Sequence, residues 1–311
     1  MRTEGSAERH LPFLDPALAS FATENPDLAL RERFLDLPEV RLHIVEAGPA
    51  NGRPVLLLHG FPEFWWGWRR QVPVLAAAGR RVVVPDLRGY NLSGKPKGIR
   101  AYGLDPLTDD LRGLLDDLGP APVDVVAHDW GGAVAWWGAQ RFPERFARLA
   151  LLNIPHPAVM RQFLLHDREQ RRRSRYIFYF QLPFLPERKI QAAGFRAFRS
   201  IFKRTSRPGT FKPEELNLYA GAAARPGALT AMLNWYRAAL WAPPKRPAHR
   251  RVEPPVRLIW GEDDVALGAG MARASVPRCR EAELHFLPGA GHWVQHEATA
   301  RVNDQLLAFL A

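Results

Sequence analysis

The chain has 311 residues, of which 47% are hydrophobic and 24% charged, so its composition is that of a globular protein and excludes wholesale disorder. The formal net charge is +11, and we interpret the arginine excess as spread along the chain, with one dense run at 168–175 (REQRRRSR) forming a solvated helix face rather than a nucleic-acid site. No stretch has the roughly 20 consecutive apolar residues of a membrane span, and the first 30 residues lack a signal-peptide core, so we expect a cytoplasmic protein.

Short runs rich in Val, Leu and Ile alternate with helical stretches along most of the chain. The runs predicted as buried strands are 40–46, 55–59, 82–85, 123–127, 149–153, 256–260 and 283–287. The stretches predicted as helices are 68–78, 107–118, 131–142 and 297–310. This alternation predicts an α/β fold in which a parallel sheet is covered on both faces.

The alternation is interrupted once, by a segment rich in Arg, aromatic residues and Ala that contains no convincing strand. We predict that residues 155–250 form a helical lid, inserted between two parts of the α/β core at 31–154 and 251–311. Residues 1–30 have no clear assignment and are predicted to form an N-terminal arm. Ligands bind beyond the carboxyl ends of the strands in such sheets, so the substrate is expected between core and lid.

The segment 125–132 (VVAHDWGG) predicts a strand that turns sharply into a helix, with Asp129 at the turn. The small residues around it allow a tight turn that pushes the Asp129 side chain out above the sheet, as in a nucleophile elbow. A carboxylate at this position can displace a leaving group at saturated carbon and form an ester. The alternative is that Asp129 only caps the helix.

Candidates for a base and an acid follow the last two predicted strands. His292 stands in a Gly-rich loop (PGAGHW, 288–293), where its imidazole can reach the elbow. One of Glu262, Asp263 and Asp264 is expected to orient this imidazole, as the acid does in other hydrolase triads. The order along the chain is then nucleophile, acid and base.

The tetrapeptide His59-Gly60-Phe61-Pro62 follows a predicted strand and indicates a tight turn. Its backbone N–H at Phe61 is predicted to hold an oxyanion together with the N–H of Trp130. The alternative is a turn without a catalytic role.

Three motifs resemble those of the epoxide hydrolases, which belong to the α/β-hydrolase superfamily. They are HGFPE at 59–63, DLRGYNLS at 86–93 and HDWGG at 128–132, and the resemblance runs from about residue 34 to the C-terminus. It implies an α/β-hydrolase fold with a mostly parallel eight-stranded sheet, helices on both faces, an inserted helical lid, a commonly cis bond before the motif proline, and no metal or organic cofactor. It also implies that Asp264, three residues after a Gly, is the acid.

The resemblance extends to two tyrosines in the lid, which in epoxide hydrolases hydrogen-bond the epoxide oxygen and protonate it. YIFYFQ at 176–181 is similar to the segment that carries the first, and the match falls on Tyr176, with Tyr179 as its rival. LNWYR at 233–237 is similar to the segment that carries the second, which makes it Tyr236. The chain departs from the family at 180–184 (FQLPF), where the family usually has an acidic residue and a Gly around the Pro.

The expected pocket is aromatic and suits a small apolar epoxide and water. Its predicted walls are Trp65, Trp66, Trp130, Phe178 and Trp235. We also expect His59 and Glu63 near the substrate or the attacking water.

Other functions are open at this point. Haloalkane and fluoroacetate dehalogenases share the Asp-centred elbow, although Trp130 stands where the fluoroacetate enzymes use Arg to bind a carboxylate. A non-catalytic binding protein on the same scaffold is a further alternative. We expect no nucleic acid and no membrane span, and a homodimer is possible.

Overall fold

Eight strands form one sheet in the computed structural model, which describes residues 13–245, 249 and 251–311. The strands are β1 (Arg31–Asp36), β2 (Arg41–Ala47), β3 (Pro54–Leu58), β4 (Arg81–Pro85), β5 (Val123–His128), β6 (Phe146–Leu152), β7 (Val256–Gly261) and β8 (Ala282–Leu287). Their order is β1-β2-β4-β3-β5-β6-β7-β8. Strand β2 is antiparallel to both of its neighbours, β1 and β4, and all other strand pairs are parallel. The predicted mostly parallel α/β-hydrolase sheet is therefore confirmed.

The central strands are buried because they consist almost entirely of branched apolar residues. Every residue of β5 is buried, and β3 and β4 are buried after their first residue. Such continuous apolar runs are typical of parallel strands covered on both faces. Because β3 and β5 are parallel and paired, with Leu58 opposite Ala127, the loops that follow both strands leave the same edge of the sheet.

Thirteen α-helices occur within the described ranges. They are α1 (Pro16–Glu24), α2 (Val72–Ala77), α3 (Leu104–Asp117), α4 (Asp129–Arg141), α5 (Pro157–His166), α6 (Arg168–Arg173), α7 (Arg175–Tyr179), α8 (Leu185–Thr205, with non-helical backbone at 192–195), α9 (Pro213–Ala224), α10 (Ala228–Trp241), α11 (Ala269–Ser275), α12 (Val294–Glu297) and α13 (Thr299–Leu310). Short 3₁₀ helices occupy Trp65–Trp68, Ile99–Tyr102, Pro143–Arg145 and Val276–Arg278.

The seven predicted strands are all present. The structure contains one further strand, β1, at an edge of the sheet. Strand β1, with the sequence RERFLD, was not predicted because half-buried charged residues hide its pattern. The helix predicted at 68–78 was too long. The chain there forms the 3₁₀ helix Trp65–Trp68 and then α2, whose first turn contains Pro73.

Six helices, α5 to α10, lie between β6 and β7, and we call residues 157–241 the helical insertion. Its helices contact loops at the carboxyl ends of the strands. Trp235 Nε1 donates to the Arg88 carbonyl at 3.1 Å, and Arg173 Nη1 donates to the Asp264 carbonyl at 2.6 Å. These contacts place the insertion over the edge where the predicted catalytic loops meet.

The predicted division into arm, core and lid stays a prediction. The lid boundary at residue 250 and the first 12 residues of the arm lie outside the described residues. Within the remainder of the arm, the buried Asp15 accepts hydrogen bonds from Trp65 Nε1 at 2.8 Å and from Asn91 Nδ2 at 2.6 Å. These bonds attach α1 to the sheet's loops.

Charge is distributed more unevenly than we predicted. The helical insertion contains 16 basic and five acidic residues, a formal charge of +11, and the remaining 27 basic and 27 acidic residues of the chain cancel. The arginine excess is therefore concentrated in one segment rather than spread along the chain. Among the described residues, no helix is both long and apolar enough to span a bilayer.

Candidate active site

Asp129 stands at the junction of β5 and α4 with a φ of 46°, a left-handed backbone that non-glycine residues rarely adopt. The turn is possible because glycines occupy positions 131 and 132. A Cβ at Gly131 would lie 2.5 Å from the His59 carbonyl oxygen, and one at Gly132 would lie 2.2 Å from Ile154. This is the sharp strand-to-helix turn that the sequence predicts.

The Asp129 carboxylate accepts a hydrogen bond from another loop and does not cap its own helix. Its Oδ1 accepts from the backbone N–H of Phe61 at 2.8 Å. The Phe61–Pro62 peptide bond is cis. A Cβ at Gly60 would lie 2.5 Å from the Cβ of Asp129, so glycine is needed there for the close approach of the two loops.

His292 lies between the two predicted carboxylates. Its Nε2 is 3.7 Å from Asp129 Oδ2, and its Nδ1 is 2.9 Å from Asp264 Oδ2. His292 follows β8 and Asp264 follows β7, neighbouring parallel strands that deliver both side chains to one edge. Glu262 and Asp263 are exposed, whereas Asp264 is buried.

Charge coupling dominates the titration of His292 and Asp264. Burial alone would lower the pKa of His292, but the carboxylates of Asp264 and then Asp129 outweigh it and raise the pKa to about 9. Burial would likewise raise the pKa of Asp264, but the charge and hydrogen bond of His292 hold it below its ordinary value. His292 is thus an imidazolium at neutral pH.

Asn153 is a residue of this site that we did not predict. It follows β6, is buried, and has a φ of 43°. Its Nδ2 donates to Asp264 Oδ2 at 2.7 Å, and its Oδ1 accepts from the Gly261 N–H at 2.9 Å. Asn153 therefore holds the acid and the end of β7 in register.

The two predicted tyrosines lie in contact above the nucleophile. Their ring centroids are 5.8 Å apart, and the Tyr236 ring packs edge-on against Phe61 at 5.0 Å and against Trp130 at 5.1 Å. Burial, followed by the charges of Asp129 and Asp264, raises the pKa of Tyr176. Burial, followed by Tyr176 and Asp129, raises that of Tyr236.

Tyr179, the rival of Tyr176, points elsewhere. Its ring lies 6.0 Å from Phe180 and beneath Lys189 Nζ at 5.7 Å. Its buried hydroxyl has no hydrogen-bond partner among the described residues. The structure therefore brings Tyr176, and not Tyr179, against Tyr236.

Arg237 connects the helices that carry the two tyrosines. All five N–H groups of its guanidinium are used: Nε donates to the Phe180 carbonyl, Nη1 to Glu187 and Asn234, and Nη2 to Glu187 and the Leu182 carbonyl, at 2.7–3.1 Å. Arg237 follows Tyr236 in α10, and Phe180 follows α7, which carries Tyr176. Arg237 was not singled out from the sequence.

Glu63 is buried, and its carboxylate contacts side chains from several segments of the protein rather than facing the substrate. Its Oε1 accepts from His296 Nε2 at 2.8 Å and from the Tyr219 hydroxyl at 3.2 Å, and its Oε2 accepts from Gln295 at 3.0 Å and lies 3.3 Å from His128 Nδ1. Burial alone would raise its pKa, but His128 and His296 lower it on balance. Through these contacts Glu63 connects its own cis-Pro loop to the elbow at His128, to the segment after His292 and to the helical insertion.

Comparison with known proteins agrees with this geometry. Residues 53–299 match the model of the alpha/beta hydrolase fold family. A relative named epoxide hydrolase 2 from Caenorhabditis elegans is 34% identical over 89% of this chain and 79% of its own length. The chain belongs to the epoxide hydrolases of the α/β-hydrolase superfamily. An AB hydrolase superfamily protein, YfhM of Bacillus subtilis, is 42% identical over 89% of this chain and 97% of that protein.

Solved structures resemble the whole hydrolase unit. Epoxide hydrolase A from Mycobacterium thermoresistibile superposes with a TM-score of 0.80 at 32% identity, covering 91% of this chain and 98% of that one. An inhibitor complex of a Bacillus megaterium epoxide hydrolase gives 0.81 at 28% identity, covering 89% and 99%.

Four predicted pocket residues of this epoxide hydrolase family member have side chains that pack within the protein or face solvent. His59 Nε2 accepts from the Leu87 N–H at 3.0 Å, so its Nδ1 donates to the Gly60 carbonyl and the ring braces the turn. Trp65 and Trp66 pack against Phe21 of α1. Phe178 is exposed because it lies two residues from Tyr176, on the other side of α7.

Trp130 and Trp235 do line the space beside Tyr236. Their rings are 5.8 Å apart, and Trp235 is fixed by its bond to Arg88. The Trp130 N–H lies in the first turn of α4, where backbone donors have no partner within the helix. The position suits the predicted oxyanion role, which stays a prediction.

Proposed function

We propose that this protein converts an apolar epoxide into a vicinal diol through an ester formed on Asp129. The observation that carries the proposal is the packing of two phenols, the partly buried Tyr176 and the buried Tyr236, in the field of the Asp129 carboxylate. An epoxide oxygen needs a proton donor when its ring opens, whereas a halide leaves as a stable anion. A paired phenol site beside a carboxylate nucleophile therefore favours epoxide over haloalkane.

In the first step, a carboxylate oxygen of Asp129 bonds to an epoxide carbon. The carbon–oxygen bond of the ring breaks, and its electron pair goes to the ring oxygen, which takes a proton from Tyr176 or Tyr236. The raised pKa of both phenols makes each tyrosinate a strong base that regains its proton readily.

Formation of the ester then changes the protonation of His292. The Asp129 charge is one cause of the high pKa of His292, and alkylation removes that charge. The pKa of His292 falls, the ring loses its proton to solvent, and Nε2 is free to accept one from water. Asp264 keeps the ring oriented through Nδ1.

In the second step, water gives a proton to His292 and its oxygen bonds to the carbonyl carbon of the ester. The N–H groups of Phe61 and Trp130 stabilise the oxyanion. The bond from this carbon to the diol oxygen breaks, and that oxygen takes the proton from His292. Loss of a proton from the new Asp129 carboxyl group restores the nucleophile. This sequence uses no metal or organic cofactor.

Several finer expectations belong to the same proposal. The substrate is a small apolar epoxide with water, and the cytoplasmic location and the possible homodimer stay predictions. A haloalkane-cleaving enzyme or a non-catalytic binding protein would share the fold. Neither alternative explains why two phenols pack beside the Asp129 carboxylate.

The test is covalent trapping with a His292→Gln variant. Brief incubation with styrene oxide should add the mass of one epoxide to the peptide that contains Asp129, because the ester forms but water is not activated. An Asp129→Ala, His292→Gln double variant is the control and should stay unmodified. Halide release from haloalkanes without diol formation by the unaltered protein would contradict the proposal, as would reversible epoxide binding without an adduct.

A further inference from the structure

The helical insertion exposes a compact group of apolar side chains. Phe178, Leu182, Phe184 and Leu185 are 55%, 44%, 77% and 51% exposed and lie within eight residues of one another. Single exposed apolar residues are ordinary, but a cluster of this kind marks an interaction site. We call these four residues the apolar tip.

Phe184 has a backbone that its residue type does not favour. Its φ is 60°, in the left-handed region where glycine is unstrained, and its ring is mostly in water. Leu182 and Phe184 flank Pro183, and both side chains are exposed. The chain thus presents two apolar side chains outward without gaining burial within the fold.

Trp241 and Leu240 extend the apolar surface at the end of α10. They are 68% and 50% exposed. Trp241 lies one helical turn after Arg237, whose guanidinium donates to the Leu182 carbonyl, so it shares the helix face that adjoins the apolar tip.

Cationic side chains surround this surface. Arg172, Arg175 and Arg188 are exposed on both sides of the apolar tip in sequence and form no ion pair with any residue that the structure describes. The helical insertion as a whole carries a formal charge of +11. A partner that covers this surface should therefore combine an apolar layer with negative charge.

We propose that the apolar tip and its arginines dock on the surface of an anionic lipid bilayer. Phe, Leu and Trp side chains would enter the acyl boundary while the arginines stay at the lipid phosphates, as in interfacial helices. A symmetric contact with a second copy would bring the same positive surface against itself. A nucleic acid would meet the arginines, but its phosphates give no apolar layer for Leu182, Phe184 and Leu185.

Docking would bring the insertion to the phase in which apolar epoxides dissolve. This consequence rests on the proposed function, but docking itself does not. An Asp129→Ala variant should therefore bind vesicles like the unaltered protein even though it makes no diol. Failure of docking and failure of the chemistry are thus measured separately.

The direct measurement is co-sedimentation of the full chain with vesicles. Vesicles of phosphatidylcholine with one third phosphatidylglycerol should bind the protein at least about tenfold more tightly than phosphatidylcholine alone, because each Arg near an anionic surface contributes about fivefold. Raising NaCl from about 0.1 M to about 1 M should release it, since the screening length falls from about 10 Å to about 3 Å.

Two variants test the two halves of the surface. Phe184→Gly should weaken vesicle binding at least about tenfold through lost apolar burial, and it should not unfold the protein because glycine suits a φ of 60°. Arg172→Gln with Arg188→Gln should weaken it about 25-fold, by about fivefold for each charge.

Matched controls lie outside the insertion. Leu14→Ser removes an exposed apolar side chain, and Arg41→Gln with Arg280→Gln removes two exposed charges, so both should bind vesicles unchanged. Equal binding to both vesicle types, or equal loss in the controls, would overturn the proposal. So would binding of an oligonucleotide, or self-association, without vesicle binding.

Discussion

The Nε2 atom of His292 lies 3.7 Å from Oδ2 of Asp129, so the Asp129 carboxylate helps to hold the proton on His292. Asp129→Asn removes the negative charge in nearly the same volume. We expect the pKa of His292 to fall below its value of about 9, because one of the carboxylates that raise it is gone. An NMR titration of the histidine ring protons measures this.

The same coupling predicts the pH dependence of the ester-hydrolysis step. An imidazolium cannot accept a proton, so the rate should rise with pH through the pKa of His292 in the ester, which lies below about 9 because Asp129 is then uncharged. In the NMR titration of the Asp129→Asn protein, His156 is the internal control. Its pKa, which burial and Arg278 lower, should not change. An unchanged His292 titration in the Asp129→Asn protein would show that the two groups are not coupled.

Tyr176→Phe and Tyr236→Phe should each slow formation of the ester about 10- to 100-fold, and the double variant up to about 10⁴-fold, because the ring oxygen loses its proton donors. Stopped-flow tryptophan fluorescence follows this step. Tyr179→Phe is the matched control and should react normally, since its hydroxyl has no hydrogen-bond partner among the described residues and its ring packs beside Phe180. A Tyr179 variant as slow as the Tyr176 variant would refute the assignment.

Arg237→Lys should slow ester formation about 10- to 100-fold while leaving ester hydrolysis near normal. Lysine cannot reproduce five N–H donors, so the segment after Tyr176 shifts against Tyr236, and a misplacement of about 1 Å can cost 10²-fold. Single-turnover kinetics separate the two steps. Arg225→Lys, which alters another insertion arginine, bonded to Asn91, should change neither step. Equal losses in both steps would point to general misfolding.

Gly60→Ala should lower activity at least about 100-fold, because its Cβ would lie 2.5 Å from that of Asp129 and must displace the nucleophile. Thermal unfolding and diol formation are measured together. Gly221→Ala in α9 is the control. Apart from its own helix backbone and its chain neighbours, no atom of the described residues lies within 4 Å of its added Cβ, so activity should be unchanged and the helix about 1 kcal/mol more stable. Full activity in the Gly60 variant would contradict the tight elbow.

Much of the fold and the triad could be predicted because their signals are local. Continuous apolar runs identify buried strands, and the small residues around Asp129 identify the turn. Parallel strands then bring their carboxyl ends together, which places His292 near Asp129 without any further information. Strand β1 was not predicted because this edge strand has alternating charges and contains no apolar run.

The missed residues depend on contacts that distant segments make. Asn153 lies 111 residues from Asp264, and Arg237 lies 50 residues from Glu187, so neither pair has a local pattern. Phe178 and His59 were expected near the substrate because they lie close in sequence to predicted site residues. On a helix, two residues that are two positions apart lie on different faces, and the His59 ring is held by the backbone of Gly60 and of Leu87.

The central claim is that an Asp129 oxygen, and not a water oxygen, bonds to the substrate carbon. A single turnover with excess enzyme in heavy-oxygen water tests it most directly. The account predicts that the label enters the carboxylate of the peptide containing Asp129 and is absent from the diol. Label in the diol with an unlabelled Asp129 would mean that water attacks the epoxide itself, and the ester mechanism would be wrong.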